Sequence, residues 1–217
     1  MFFASRLIAL DALPLHNDEG LHLTRAVEVW NGHPFWDISD GKIINHWFIA
    51  LFFPQETPVF AARIATVLVV MLGVAAAYGL ARHLAGHCAG LLAMGIWTAS
   101  PYLFFYERTA QSDPQAAALV TVAVWGVLLF AERGTYRWAI YTGCALAWAA
   151  LMKLNAGPHA LAVAGVVLTF GVLPWRRRLL GLGVMALTGV AALAVPTVYA
   201  VYRGDGLFSV ALAWLGG

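Results

Sequence analysis

The sequence predicts an all-α fold, a polytopic membrane helix bundle of six spans plus a truncated first helix, and three observations carry that prediction. The first is composition: 61% of the 217 residues are hydrophobic and 11% are charged, where a soluble domain carries about 25% charged residues. The second is the length of the apolar runs, which reach or approach the roughly 20 residues that a helix needs to cross a hydrocarbon core about 30 Å thick. The third is alternation of charge. Arg82, Arg133, Arg137, Arg176, Arg177 and Arg178 fall in short connections with a single acid, Glu132, while the intervening connections hold Asp18, Glu19, Glu28, Asp37, Asp40, Glu56, Glu107, Asp113 and Asp205. Short basic loops stay cytoplasmic, so the acids are expected on the extracytoplasmic side of a cell inner or plasma membrane.

The same composition excludes other classes. The formal net charge is +2 and no dense Lys/Arg stretch is interleaved with aromatics, so nucleic acid is not an expected partner. Cys88 and Cys144 lie inside apolar runs, without the spacing of a disulfide framework or a zinc site. No repeat of fixed period is visible, which gives no support to a solenoid or an inverted-repeat transporter.

In chain order, the opening MFFASRLIALDALPL holds a basic residue and an apolar stretch but also Asp11 and no small-residue cleavage site. It reads as a truncated helix and not as a signal peptide. Residues 16–58 form the first outer loop. Within it Asp18 to Trp30 is an amphipathic surface helix, because Leu23, Ala26, Val27 and Trp30 recur at helical spacing while Arg25 and Glu28 point elsewhere. Asn17 or Asp18 can cap its start and Gly32 fits just past its end. Trp30, Phe35, Trp36 and Trp47 suit the headgroup layer, so the loop is expected to lie over the bundle as a lid.

Six apolar spans follow: Val59 to Ala81, Cys88 to Tyr106, Gln115 to Ala131, Trp138 to Met152, His159 to Leu173 and Leu179 to Tyr202. The fourth and fifth are short, which snorkelling ends or local thinning of the bilayer accommodates at modest cost. Gly73, Gly157, Pro158 and Pro196 within the spans serve packing or bending. Residues 1–217 are expected to form one membrane-embedded module, the N-terminal portion of a longer protein.

Three polar constellations fall on the outer side. The first is HNDEGLHLTRAVEVW, where adjacent carboxylates, Asp18 and Glu19, begin the surface helix. Acids in a first turn complement the helix dipole for about 0.3–1 kcal/mol, and a carboxylate beside lipid can equally serve as a general base for an incoming hydroxyl. The second is YERTAQSDPQ, in which Asp113 precedes Pro114 at a helix start, a capping pattern, and Glu107 with Arg108 suggests an interfacial ion pair. The third is basic: Lys42 in DGKIINHW and Lys153 in ALMKLNAGP. Either lysine could simply reach solvent or headgroups. Either could also neutralise the phosphate of a lipid-linked leaving group. His46, Glu107 and Arg108 are neighbours of this set.

Because pairs of apolar spans separate the three constellations, they are expected to converge on one side of one bundle. No metal site is assigned. His16, His22, His33 and His46 cluster in the first loop, and the four-residue spacing of Asp18 and His22 is the one place where a divalent cation could be held.

These residues resemble the polyprenyl-phosphate-dependent glycosyltransferases of the GT-C type, relatives of protein O-mannosyltransferases and lipid A aminoarabinose transferases. NDEGLHLTRAVEVWNGHPFWD followed by GKIINHWFIALFF is similar to their first outer loop, with its Asp-Glu pair, surface helix, Gly-x-Pro-Phe turn and lysine. RTAQSDPQAAALVTVAVW resembles their second outer motif, and ALMKLNAGPHAL the lysine-glycine-proline segment further on. Ile43, Ile44 and Asn45 depart from the pattern, standing where many relatives carry prolines and a further aromatic.

The resemblance implies that Asp18 is the catalytic carboxylate, that Glu19 positions the helix or contacts the acceptor, and that Asp113 belongs to the same outer site. Lys42 and Lys153 would contact the donor phosphate. The implied partners are a polyprenyl-phosphate-linked sugar donor, membrane lipids, and a protein, lipid or glycan acceptor. A transporter or flippase, or a noncatalytic membrane subunit, is the alternative. The transporter would place its polar residues on interrupted helices near the bilayer midplane.

Overall fold

A computed structural model describes residues 2–35, 41–52, 57–170 and 172–203. Of the residues singled out above, Trp36, Asp37, Asp40, Glu56 and Asp205 lie outside the described residues. Those described form ten α-helices and one 3₁₀ turn, and no strand occurs among them.

The opening stretch forms α1 (Phe2–Leu7), and the outer loop contributes α2 (Asn17–Trp30) and α3 (Ile43–Leu51). The start of α2 is capped by His16, and by neither Asn17 nor Asp18. The His16 Nδ1 accepts the Asp18 backbone N–H at 3.3 Å while the Glu19 carboxylate accepts the His16 backbone N–H at 3.0 Å, a reciprocal capping box. Gly32 follows the helix with φ +92°, a turn that only glycine adopts without strain. The helix α3 was not expected. Its sequence IINHWFIAL falls within the expected loop, yet Ile43, Ile44, Asn45, His46, Ile49 and Ala50 are all buried.

A hairpin comes next. Helix α4 (Pro58–Ala85) starts with proline in its first turn, where the missing N–H costs nothing, and ends at Gly86 with φ +87°. There the chain reverses, and α5 (His87–Ala99) runs back along α4, with the Tyr78 hydroxyl 2.9 Å from His87 Nδ1. The expected span from Cys88 to Tyr106 is in fact two helices, because Pro101 interrupts it. Proline lacks the N–H that would continue α5. Ser100, extended, instead begins α6 (Pro101–Tyr106).

The remaining helices are α7 (Ser112–Arg133), closed by Gly134 in the left-handed conformation, α8 (Tyr136–Met152), the 3₁₀ turn Leu154–Ala156, α9 (His159–Thr169) and α10 (Trp175–Arg203), which contains Pro196. Among the described residues three stretches are long and apolar enough to cross a membrane: Pro58–Ala99, Ser112–Arg133 and Trp175–Tyr199, with mean hydropathies of 2.3, 1.8 and 2.1. The first contains the Gly86 reversal. With 17 residues α8 spans about 26 Å at 1.5 Å per residue, and α9 has 11 residues. Six spans were expected; among the described residues three stretches reach the length.

Helix α7 occupies the middle of the bundle, between α4 and α8, with α10 packed on α8. Small residues allow these close approaches. A Cβ on Gly73 of α4 would fall 2.7 Å from the Ala118 Cα of α7, and one on Gly143 of α8 would fall 2.3 Å from the Met185 carbonyl oxygen of α10. Backbones that approach this closely gain dispersion contacts, the main attraction available between helices in lipid. Around the seam Val67, Val70 and Val74 of α4 meet Ala118 and Leu119 of α7 and Leu151 and Met152 of α8. The outward faces are apolar as well: α10 buries only 17% of its apolar window, which suits a surface facing acyl chains.

The two ends of the bundle differ. At one, His83 Nε2 lies 2.7 Å from Glu132, Gly134 packs against Leu173 and Arg177, and Arg178 Nε donates to the Leu173 carbonyl at 2.8 Å. The arginine-bearing connections therefore share one end. The other end gathers α1, α2, the α6–α7 connection and the turn after α8.

Candidate active site

The polar end is organised by two buried arginines. Arg63, one turn into α4, donates from Nε to Glu19 Oε1 at 2.9 Å and from Nη2 to Glu19 Oε2 at 2.8 Å. Its remaining donors reach the carbonyls of Leu10, Leu13 and Pro14 at 2.7, 3.0 and 3.2 Å. Glu19 also accepts the Ala110 backbone N–H at 2.6 Å. Both side chains are fully buried. Burial alone would raise the Glu19 pKa, but the Arg63 fork, the His16 and Ala110 N–H groups and the arginine charge outweigh it and hold the carboxyl below the usual carboxylate range. This carboxylate is saturated with donors. It ties α2 to α4, to the chain after α1 and to the α6–α7 connection.

The second arginine, Arg6 of α1, lies 2.7 Å from Glu107 and donates to the Thr98 carbonyl at 3.0 Å. The Trp97 indole N–H also donates to Glu107. Glu107 therefore pairs with Arg6 and not with Arg108, which turns away and donates to the carbonyls of Ile8 and Ala9 at 2.5 and 2.7 Å. The reason is geometric: Glu107 closes α6 in helical conformation and faces the α5 terminus, where Arg6 arrives from a distant part of the chain. Burial raises the Glu107 pKa, and its bonds to Trp97 and Arg6 offset that only in part.

Asp113 and Lys153 meet directly. The lysine Nζ lies 2.5 Å from Asp113 Oδ1, with the side chains 34% and 53% exposed, so the pair is open to a ligand. Asp113 sits in the first turn of α7, and Lys153 at the residue after α8, where the backbone turns extended. Asp113 does not cap α7; Gln111 occupies that position without a side-chain bond. The pair opens into a cleft of about 660 Å³ bounded by α6, α7, the 3₁₀ turn and the start of α9, with Gln111, Asn155 and His159 among its polar lining. The Gln111 amide lies 3.3 Å from His16 Nδ1, which brings the residue before α2 to the cleft; Asp18, two residues on, is exposed and is not among the residues that line it.

Lys42 does not line this cleft. It stands half-buried at the boundary of α3, and its charge acts on His46. His46 is buried with its Nε2 3.1 Å from His22 Nδ1. Burial, followed by the positive surroundings of His22, Arg25 and Lys42, holds its pKa well below the usual imidazole value. Beside it Asn45 accepts from the Gln115 amide at 2.6 Å, which in turn donates to Thr66 at 2.9 Å. The segment IIN that departs from the family pattern is thus packed into the core. Among the described residues no group of three or more His, Cys, Asp or Glu side chains is placed to hold a metal ion; His22 faces His46.

The sequence had brought three constellations to one side, and contacts now join them: Glu19 to Ala110, His16 to Gln111, Asp113 to Lys153. Arg63, Arg6 and His159 were not singled out. The signal for the arginines was present, a charge inside an apolar helix, which is costly unless paired.

A helical bundle with apolar outer faces and a carboxylate-lysine cleft at one end defines a membrane protein equipped for polar chemistry at its surface. The chain belongs to the dolichyl-phosphate-mannose-protein mannosyltransferase family, whose model matches residues 40–202, about three quarters of its length. It is thus an integral membrane protein of a GT-C-type glycosyltransferase family. No match was found among curated proteins or among solved structures.

Proposed function

We propose that the protein transfers a sugar from a polyprenyl-phosphate donor to an acceptor at the extracytoplasmic membrane face. One observation carries this reading: the Asp113–Lys153 pair opens into a cleft of about 660 Å³ that Gln111, bonded to His16 at the start of α2, also lines. The family supports the class, since its name specifies a lipid-phosphate mannose donor and a protein acceptor.

In this reading the acceptor oxygen attacks the anomeric carbon, a new glycosidic bond forms, and the bond to the phosphate oxygen breaks. The acceptor proton passes to Asp18, which is exposed and therefore able to take it. Lys153 shifts from Asp113 to the departing phosphate and neutralises it, while Lys42, which does not line the cleft, takes no part in this step. Asp113 holds Lys153 until the donor arrives. Glu19, saturated by Arg63, positions α2 and takes no proton. The arginines at the opposite end favour a cytoplasmic position for that end, which supports a cleft outside the cytoplasm, and the six apolar segments cross or enter the bilayer, the shorter ones with local thinning.

The test is direct. The purified protein in nanodiscs is incubated with a panel of polyprenyl-phosphate sugars and candidate acceptors, and products are identified by mass spectrometry. A product bearing one added sugar, with release of polyprenyl phosphate, is expected; no turnover with any donor would contradict the assignment.

A further inference from the structure

His159 begins α9 with its Nδ1 3.1 Å from the Ala156 carbonyl oxygen. A carbonyl can only accept, so Nδ1 carries the proton, and in the neutral ring Nε2 is left with a lone pair. The residue is exposed and lines the same cleft as Asp113 and Lys153. Asn155, also exposed, adds an amide from the 3₁₀ turn. Across the cleft Tyr102 and Tyr106, one turn apart on α6, bring their rings to 4.6 Å between centroids, with Tyr102 68% exposed. An aromatic face opposite a few convergent donors and acceptors is a poor environment for an acyl chain and a good one for a polyol ring, which is apolar on its C–H face and polar at its edge.

Resting on the lipid-phosphate reading above, we propose that this part of the cleft binds the sugar ring of the donor. His159 Nε2 accepts a hydrogen bond from a ring hydroxyl, Asn155 supplies a second polar contact, and Tyr102 and Tyr106 lie against the ring. The donor is favoured over the acceptor because sugar and phosphate are one bond apart. A phosphate held by Lys153 therefore carries its sugar into the space that these residues line.

The experiment compares binding of polyprenyl-phosphate mannose and of sugar-free polyprenyl phosphate to the protein in nanodiscs. The proteins are wild type, His159→Phe, which keeps a ring without polar atoms, and His159→Gln, which restores an acceptor. Wild type should prefer the sugar-bearing lipid. His159→Phe should weaken that lipid about five- to tenfold, the size expected for one hydrogen bond, and leave the sugar-free lipid unchanged, with His159→Gln recovering most of the loss. Equal binding of the mannosyl lipid by wild type and His159→Phe, or equal weakening of both lipids, would overturn the sugar subsite while leaving the lipid-phosphate reading intact. Failure of wild type to bind either lipid would overturn both. Tyr102→Ala provides a check that does not touch the α9 start, and the same selective loss is expected of it.

Discussion

Glu19 and Arg63 stand 44 positions apart in the chain and meet in a two-pronged ion pair with both side chains fully buried. Planar guanidinium against carboxylate satisfies two donors at once, and three backbone carbonyls take up the rest. The pair fixes the entry of α2 against the first turns of α4. It thereby sets where Asp18 lies relative to the cleft.

Removing one partner should be severe. Arg63→Met leaves Glu19 charged and buried, and loss of one member of such a pair costs about 3–5 kcal/mol. Thermal unfolding in detergent should show a large drop, and Arg63→Lys a smaller but clear one because the fork geometry is lost. A melting temperature within a degree of wild type for Arg63→Met would show that the pair does not hold α2 in place.

The pH response follows from the same carboxylate. Its folded pKa is lowered below the unfolded value, so the stability it contributes is fully present above the unfolded carboxylate pKa, about 4.3. That stability is lost as pH falls through the lower folded value. Denaturant unfolding should therefore show wild type losing stability below about pH 4.3, with Glu19→Gln showing a smaller loss over the same range. Parallel slopes in the two proteins would show that Glu19 is not the group responsible.

Asp113 and Lys153 offer a separation of structure from chemistry. Because the pair is partly exposed, its strength as a salt bridge is small, about 0–1 kcal/mol. The exchange Asp113→Lys with Lys153→Asp should fold with little loss of stability, yet turnover should fall by at least a hundredfold because the cation has moved to α7. Retained turnover in the exchanged protein would make the pair structural only.

Close packing can be probed away from the cleft. A methyl group on Gly143 would meet the Met185 carbonyl and the Thr188 hydroxyl at under 2.5 Å, so Gly143→Ala must push α10 off α8. Overpacking of this kind costs about 1–3 kcal/mol, measurable as a lowered unfolding midpoint. No change would mean that α10 is free to shift outward.

Much of the fold was legible because lipid imposes simple rules. Apolar length, basic short loops and proline or glycine at boundaries located α4, α7 and α10 to within a few residues. What was not legible depended on partners distant in sequence. Arg6 is only a basic residue in an apolar opening stretch until Glu107, 101 positions on, is placed against it, and Glu107 looks paired with its neighbour Arg108 until the helix ending at Tyr106 points the two side chains apart. The helix α3 was hidden for a different reason: nine residues are too few to register as a span, and an apolar run beside tryptophans reads equally well as an interfacial loop. Of the cleft, the motifs announced Asp113 and Lys153. The bonding that distinguishes exposed Asp18 from saturated Glu19 needed coordinates, since adjacent carboxylates at a helix start look alike in sequence.

In the proposed reaction exposed Asp18 takes the acceptor proton, and Glu19 only positions α2. Single-turnover transfer from a radiolabelled polyprenyl-phosphate sugar, measured for wild type and Asp18→Asn in nanodiscs alongside donor binding, tests it most directly. Asp18→Asn should bind donor with wild-type affinity, unfold at the wild-type temperature and lose at least a hundredfold in transfer rate. Transfer by Asp18→Asn at the wild-type rate would contradict it.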